Sequence, residues 1–574
     1  MGDLGPSPPT GGKASRPFSA RFGKEATGSA AFEPDASRTP KGRIRVTKFQ
    51  HATRMGLLMA VAAALSGWVI RHKETRFADG LRYIHQAEKI EAATWRDGLV
   101  KGIDHPLHPL LIAAVHRVLG GADPTSWQVA AFVLCFTSAV LLIIPVYLLT
   151  LELFGEKTAW LGCLLVIVNP IVGYIVVNIL SESTFLLWWS FGLWGSVRFL
   201  REGRFLWLPL AIGFGALAYL TRPEGMLLPA ALVTTLLALP LSRWTRINWP
   251  RWWRTVAFLV AGVVLLVGPY VALKGSVGTK PGIARVLGLA PRSLSLGLER
   301  EKPLPAGQTD VDTYRIATIR MLKVFRAAVT PPLFGVALVG IVLAAPLAGR
   351  GHARAALFLT AILAASAVAL VRLHATGGYC TVRHGLVPGM ILTLAAAYGL
   401  TWLIEKISIP GRWLGMAHER LRPGPAVWAV LIGAVVVVPN IRSEGPSTPS
   451  PFSVYRETGQ WIAENTSSPD KVLDLTDWSL FFSGRPGYIF ANVYEAPTDP
   501  STRWLVVRAP HVNGHWHYSE VLRDLIAGRE PVALVPAKAD PGQVQIRIYD
   551  RQAPPPPPQT ATGASSRENE TRRR

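Results

Sequence analysis

The sequence predicts an α-helical polytopic membrane protein with a small extracytoplasmic α/β domain near its C-terminal end. Only 17% of the 574 residues are charged, against about 25% in soluble proteins, and the mean hydropathy is positive. Many apolar runs reach the roughly 20 residues that a helix needs to cross a bilayer. After the last run, short β-rich segments separated by turn residues replace the apolar pattern. These observations exclude a wholly soluble cytosolic enzyme.

Eleven apolar runs qualify as spans, so we predict about 11 transmembrane helices. They cover residues 54–70, 127–154, 158–180, 183–200, 205–220, 226–241, 256–273, 332–347, 355–371, 386–404 and 426–439. The short connections on the side of the N-terminal tail are basic or neutral, which predicts a multi-pass cell-membrane protein with a cytoplasmic N-terminus and an outer C-terminal domain. A polytopic membrane protein accumulates Lys and Arg in its cytoplasmic loops, so a net charge of +23 does not require a nucleic-acid partner. We therefore predict the lipid bilayer as a partner and no nucleic acid.

The chain divides into four predicted regions. Residues 1–53 form a disordered basic cytoplasmic tail that lacks the apolar core of a signal peptide. Residues 54–440 form the transmembrane module, with a long outer loop at 71–126. Residues 441–552 form the α/β domain, with strands near 471–475, 487–490, 503–507, 531–535 and 544–549 and helices near 454–464 and 518–527. Residues 553–574 form a disordered Pro-rich tail.

The outer loop at 71–126 contains two predicted amphipathic helices that lie on the membrane surface. Apolar residues recur at helical spacing after Asp79, and a second apolar face begins after Pro106. Asp79 stands at the N-cap position of the first helix, where its carboxylate serves to cap free backbone N–H groups. The helix dipole also keeps a carboxylate ionised there, which suits a general base facing a hydroxyl group. The two interpretations are compatible.

Four short motifs follow one another along the predicted outer side. They are Asp79-Gly-Leu-Arg-Tyr-Ile, Asp104-His-Pro-Leu-His-Pro-Leu-Leu, Ser181-Glu-Ser-Thr-Phe and Thr221-Arg-Pro-Glu-Gly. In order and spacing they resemble the GT-C glycosyltransferases of family 39, which use polyprenyl-phosphate sugars and include protein O-mannosyltransferases and aminoarabinose transferases. The resemblance covers roughly residues 54–404. It implies a polyprenyl-phosphate sugar donor, an acceptor hydroxyl group of unknown identity, and inverting transfer on the outer face of the membrane.

The resemblance also implies which acids act. Asp79 matches the position of the catalytic base, and Glu182 resembles the second acidic position of the family. An ionisable group at the membrane edge is costly, so a functional role for Glu182 is the default interpretation. The sequence departs from the family at Gly80, where many relatives have a second acid. Asp104 is therefore a rival candidate for the base.

Basic residues at the outer span ends are candidates for binding the lipid phosphate, as the resemblance implies. They are Arg222 and the adjacent Arg383 and His384. An alternative for Arg222 is snorkelling to the lipid headgroups, and Glu224 could pair with Arg222 and orient it. His105 stands where the aminoarabinose transferases have a lysine. It is a further candidate for donating a hydrogen bond to the lipid phosphate.

No cofactor is predicted. His105, His108 and His116 could suggest a metal site, but Pro106 and Pro109 interrupt the pattern, and no helical zinc motif is present. A divalent metal is left open without being indicated. The sequence also has no nucleotide-phosphate loop, which disfavours a nucleotide-sugar donor.

Two other functions stay open. A transporter or flippase of lipid-linked sugars would also need many spans and outer basic residues, although the two halves of the chain show no duplication. A non-catalytic receptor would use the α/β domain instead. In that domain the segment after Asp477 follows a predicted strand, where α/β sheets place ligands; it fits either acceptor recognition or a packed loop.

The charge distribution makes a topology prediction. Reporter fusions at residue 50 and after residue 445 are expected to lie on opposite sides of the membrane, because an odd number of spans separates them. Signals from the same side would mean an even span count and would contradict the assignment of the loops.

Overall fold

The computed structural model describes residues 48–72, 78–92, 95–241, 248–277, 286, 310–347, 352–377, 380–406, 409–410, 420–421, 453–467, 469–514, 517–538 and 545–553. The eleventh predicted span, at 426–439, lies outside these residues, as do almost all of the predicted N-terminal tail and nearly the whole Pro-rich tail. The first helix begins at Lys48, earlier than the predicted start at Arg54.

Twelve helices make up the first part of the module. They are α1 Lys48–His72, α2 Ala78–Glu91, α3 Trp95–Val100, α4 Leu107–Leu119, α5 Pro124–Leu141, α6 Ile143–Phe154, α7 Glu156–Ile167, α8 Pro170–Val177, α9 Glu182–Glu202, α10 Trp207–Thr221, α11 Leu227–Ala238 and α12 Trp249–Lys274. The two predicted loop helices are confirmed as α2 and α4, and α3 between them was not predicted.

The remaining elements complete the module and form the C-terminal domain. They are α13 Asp310–Val329, α14 Pro331–Leu347, α15 Ala353–Gly377, α16 Leu386–Lys406, β1 Ile409–Pro410, β2 Arg420–Leu421, α17 Ser453–Asn465, β3 Lys471–Asp474, α18 Trp478–Ser483, β4 Gly487–Tyr488, β5 Thr502–Arg508, α19 Ala509–Asn513, α20 His517–Ile526, β6 Ala533–Val535 and β7 Ile546–Asp550. Helix α13 lies in a stretch that the sequence analysis treats as an outer loop.

Prolines mark two sharp bends between helices, and the first of them lies inside the predicted span at 158–180. Helices α7 and α8 meet at 48° before Pro170, where the Asn169 side chain accepts a hydrogen bond from the N–H of Ile171. Helices α13 and α14 meet at 97° before Pro331. Proline lacks the N–H that an uninterrupted helix needs, and the residue before it avoids helical backbone angles. Of the described helices, six are long and apolar enough to cross a membrane, or up to eight if each bent pair is one span.

The C-terminal domain is built on a five-stranded sheet of mixed parallel and antiparallel strands, and its α/β character agrees with the sequence prediction. The strand order is β4-β3-β5-β7-β6, with β3 parallel to β4 and β5 and with β7 antiparallel to its neighbours. Leu473, Leu505 and Tyr549 face α20, whereas Val472 and Trp504 join a second apolar cluster with α17. All five predicted strands and both predicted helices of this domain are present.

Candidate active site

Seven charged side chains form one continuous row of ion pairs at one end of the helical module. They come from four segments that the charge analysis assigns to the same side: the 71–126 loop, the start of α9, the turn after α10 and the turn before α16. In order, the row runs from Asp104 through Arg82, Asp79, Arg383, Glu182 and Arg222 to Glu224.

Glu182 is the central carboxylate of this network. Its side chain is 0% exposed, and its Oε1 accepts from Nε of Arg383 at 2.5 Å and from Nη1 of Arg222 at 2.9 Å. A buried carboxylate is stable only with close cationic partners. The two arginines that the sequence analysis names for phosphate binding therefore meet on one acid.

Asp79 lies between two guanidinium groups. Its Oδ2 is 2.9 Å from Nη1 of Arg383, and its Oδ1 is 2.9 Å from Nη1 of Arg82. Helix α2 begins at Ala78, so Asp79 stands in the first helical turn and the predicted N-cap position is wrong. The helix dipole still favours a negative charge there.

Arg82 is the functional candidate that the sequence analysis missed. It binds the buried carboxylate of Asp104 through Nε and, at 3.1 Å, through Nη2. Burial disfavours the charged guanidinium, but Asp104 and Asp79 outweigh this effect and raise the pKa of Arg82 above its usual value. The available signal was its position one helical turn after Asp79.

Arg222 is buried and paired, so it does not snorkel to the headgroups. Its Nη2 and Nε donate to the two carboxylate oxygens of Glu224 at 2.7 and 3.2 Å. Its Nη1 also donates to Oγ of Ser181 at 3.3 Å, and that hydroxyl lies 3.0 Å from the hydroxyl of Tyr83 on α2. Glu224 thus orients Arg222, as one of the sequence hypotheses proposes.

Gly80 allows α2 to approach the turn that leads into α9. A Cβ atom at Gly80 would lie 2.6 Å from the carbonyl oxygen of Asn178 and 3.2 Å from Cβ of Ile179. This close approach places Asp79 within reach of the arginine that also binds Glu182. Any side chain at this position would force one of the two segments to shift.

The histidines named by the sequence analysis make other contacts. His105 is buried against aromatic rings. Nδ1 of His108 lies 3.0 Å from Oγ1 of Thr184, and burial lowers the pKa of His108 to about 4. Nδ1 of His384 accepts from the N–H of Thr381 at 3.1 Å. Roles for His105 and His384 in phosphate binding stay predictions.

The part of the chain that the structure describes contains no cluster of metal-binding side chains. Within it, no group of three or more His, Cys, Asp or Glu side chains could hold a metal ion. The carboxylates of the network instead have arginines as their partners.

The C-terminal domain contacts α2 beside the network. Nδ1 of His85 lies 2.9 Å from Oε2 of Glu88, and Nε2 lies 3.2 Å from Oδ2 of Asp477. Burial opposes the charged form of His85, but the hydrogen bonds to Asp477 and Glu88 raise its pKa to about 9. The segment that starts at Asp477 therefore touches the helix that carries Asp79.

Comparisons with known proteins give one family match and several similar folds. Residues 104–267 match the model of the family described as dolichyl-phosphate-mannose-protein mannosyltransferase. The fold is similar to that of the oligosaccharyltransferase AglB from Archaeoglobus fulgidus in complex with an inhibitory peptide and a dolichol-phosphate, with a TM-score of 0.53 at 12% identity over 81% of this chain and 70% of that chain. ArnT from Cupriavidus metallidurans bound to undecaprenyl phosphate gives a TM-score of 0.48 at 14% identity, over 88% of this chain and 100% of that chain. A search of curated protein sequences finds no match.

These matches confirm the predicted resemblance to GT-C glycosyltransferases and the predicted fold class, though not the number of spans. The chain is a multi-pass membrane protein, and at the level of the enzyme class the matches support a glycosyltransferase. The matched range includes Asp104, Glu182 and Arg222. Asp79 and Arg383 lie outside that range but are joined to it by ion pairs.

The Arg82–Asp104 pair makes a stability prediction. Arg82→Leu is expected to destabilise the protein by about 1 to 3 kcal/mol, because the buried Asp104 carboxylate loses the partly exposed guanidinium that binds it. The double variant Arg82→Leu/Asp104→Asn should recover most of this loss. Thermal unfolding of the purified protein in detergent measures both, with Arg117→Leu on the exposed face of α4 as control. If Arg82→Leu and Arg117→Leu unfold alike, the pair has no such role.

Proposed function

We propose that this protein is a membrane glycosyltransferase that moves a sugar from a polyprenyl-phosphate donor to an acceptor hydroxyl group on the outer face of the membrane. Transfer would invert the anomeric configuration, with Asp79 as the general base. The observation that carries the proposal is the row of seven paired charges. The family match over residues 104–267 supports it.

The cost of such a network argues for a function. Buried ion pairs repay their desolvation only partly, and apolar side chains often replace them without loss of stability. Three guanidinium groups beside a membrane-embedded bundle offer fork-shaped donors that match phosphate oxygens. A lipid-linked phosphate is the anion that reaches such a place from the bilayer. The solved AglB complex with a dolichol-phosphate agrees with this choice of donor class.

Asp79 is the best placed of the acids to act as the base. Its side chain is 21% exposed, whereas those of Asp104 and Glu182 are 1% and 0% exposed. An acceptor hydroxyl group can therefore approach Asp79 and give up its proton while its oxygen attacks the anomeric carbon. The bond from that carbon to the phosphate oxygen breaks, and the lipid phosphate leaves with the electron pair.

Arg383 connects the base to the leaving group. It binds both Glu182 and Asp79, so a phosphate that reaches Arg383 competes with Asp79 for the same guanidinium. We expect donor binding to weaken the Arg383–Asp79 pair. The donor itself would thereby free Oδ2 of Asp79 to receive a hydrogen bond from the acceptor hydroxyl group.

The assignment of the base is tested by two amide substitutions. Asp79→Asn is expected to lower the transfer rate by about 10² to 10⁴, because the amide keeps the shape of the side chain but cannot accept the proton. Asp104→Asn should lose less, since Asp104 is buried away from the acceptor. Purified protein incubated with membrane extract and a panel of labelled polyprenyl-phosphate sugars provides the assay.

Each opposite outcome has its own meaning. An inactive Asp104→Asn beside an active Asp79→Asn would make Asp104 the base. The wild type and both variants could also move labelled lipid across the vesicle membrane without transferring sugar. The protein would then be a transporter of lipid-linked sugars and not a glycosyltransferase.

The phosphate site is tested by a change that keeps the charge. Arg383→Lys is expected to raise the KM for the donor about tenfold, because a lysine cannot make the paired hydrogen bonds of a guanidinium fork. Arg222→Ala should weaken donor use further, since it removes the charge. The control is Arg254→Lys, at the other end of the module. Unchanged donor KM in both variants would contradict the assignment.

A further inference from the structure

The His85 side chain lies between two carboxylates, one from its own helix and one from the C-terminal domain. Its Nδ1 faces Glu88 and its Nε2 faces Asp477, both within hydrogen-bond distance. Ionised carboxylate oxygens only accept hydrogen bonds, so both ring nitrogens donate and the ring is an imidazolium. The contact between α2 and the C-terminal domain is therefore a charge-assisted hydrogen bond, which is stronger than a neutral one.

The loop that presents Asp477 is held rigidly. Asp474, buried at the end of β3, accepts from the backbone N–H of Thr476 at 2.9 Å and of Ser479 at 2.8 Å. Asp477 itself has a φ of 67°, a left-handed conformation that is uncommon for residues other than glycine. Aspartate and asparagine are the residues other than glycine that adopt this conformation most readily.

A second side chain of the same loop supports the histidine ring. Phe481 of α18 lies edge-on to His85, with 5.6 Å between the ring centres. Its backbone N–H also donates to the carbonyl oxygen of Asp477 at 2.9 Å. The loop thus fixes His85 by a charge on one atom and by packing on the ring.

His85 shares a rigid helix with two members of the ionic network. It lies one helical turn after Arg82 and two turns after Asp79 on α2. A tilt or rotation of α2 at His85 therefore moves the Asp79 carboxylate. A misplacement of about 1 Å can lower a reaction rate about 10²-fold, so the position of this helix matters for transfer.

We propose that His85 and Asp477 are a pair of positioning residues, through which the C-terminal domain holds α2 in place and so sets Asp79 and Arg82 for transfer. The inference rests on the proposed function and adds to it a role for the C-terminal domain. Neither residue touches the reacting atoms. Their effect therefore appears in the rate of the chemical step and leaves donor binding unchanged.

The experiment compares variants of the full chain in detergent. Asp477→Asn removes the charge, while asparagine tolerates the left-handed backbone almost as well as aspartate does. His85→Gln removes the imidazolium, and the double variant completes the cycle. The matched control is Asp524→Asn, on the exposed side of α20. Two quantities are measured: hydrogen exchange of peptides from 78–91, and kcat and donor KM in the transfer assay.

We expect faster hydrogen exchange in α2 and a kcat about tenfold lower in each single variant, with the donor KM unchanged. The double variant should show no further loss of kcat. Exchange and kcat of Asp477→Asn equal to those of Asp524→Asn would overturn it, as would fully additive losses. If the wild type transfers no sugar from any donor of the panel, the proposed function fails. The exchange of α2 in the same variants then still decides whether Asp477 holds the helix.

Discussion

The buried charge of Glu182 is the constraint that organises this end of the molecule. An ionised carboxylate with no exposed surface needs cations at hydrogen-bond distance, and Arg222 and Arg383 supply them from turns beside two different helices. Each arginine is in turn bound by a second acid, Glu224 or Asp79. One buried carboxylate thereby fixes the relative positions of four segments that are far apart in the sequence.

The balance of charges suggests an order of events. Four carboxylates and three guanidinium groups give these seven side chains a formal charge of −1. Under the proposed function, an anionic donor would therefore compete with one of the acids for an arginine. Asp79 is partly exposed and Glu182 is fully buried, which makes the Arg383–Asp79 pair the easier one to open. Under the proposed function, donor binding would precede acceptor binding, because it frees Oδ2 of Asp79 while Oδ1 stays paired with Arg82.

The sequence predicts those residues of the site that lie at the ends of the spans. Glu182, Arg222 and Arg383 each lie at a span end, and alternation of the spans predicts that these ends meet on one side. Arg82 escaped prediction because it lies on the polar face of an amphipathic helix, where a solvated charge is the usual interpretation. Its pairing with Asp104 depends on the path of the loop between α3 and α4, which no local pattern encodes. Helix α13 escaped because its amphipathic sequence lacks the continuous apolar run of a span.

The C-terminal domain contacts helix α2 through the end of its β-sheet. In α/β sheets, ligands usually bind beyond the carboxyl ends of the parallel strands. Beyond the end of β3 this protein has the loop with Asp477, and the group that binds there is His85 of its own α2. At this end of the sheet the protein binds a helix of its membrane module, whereas α/β sheets usually bind a ligand there. Asp477 and Phe481 of this loop bind the His85 side chain by a hydrogen bond and by ring packing. A glycine-rich loop would instead leave space for a phosphate.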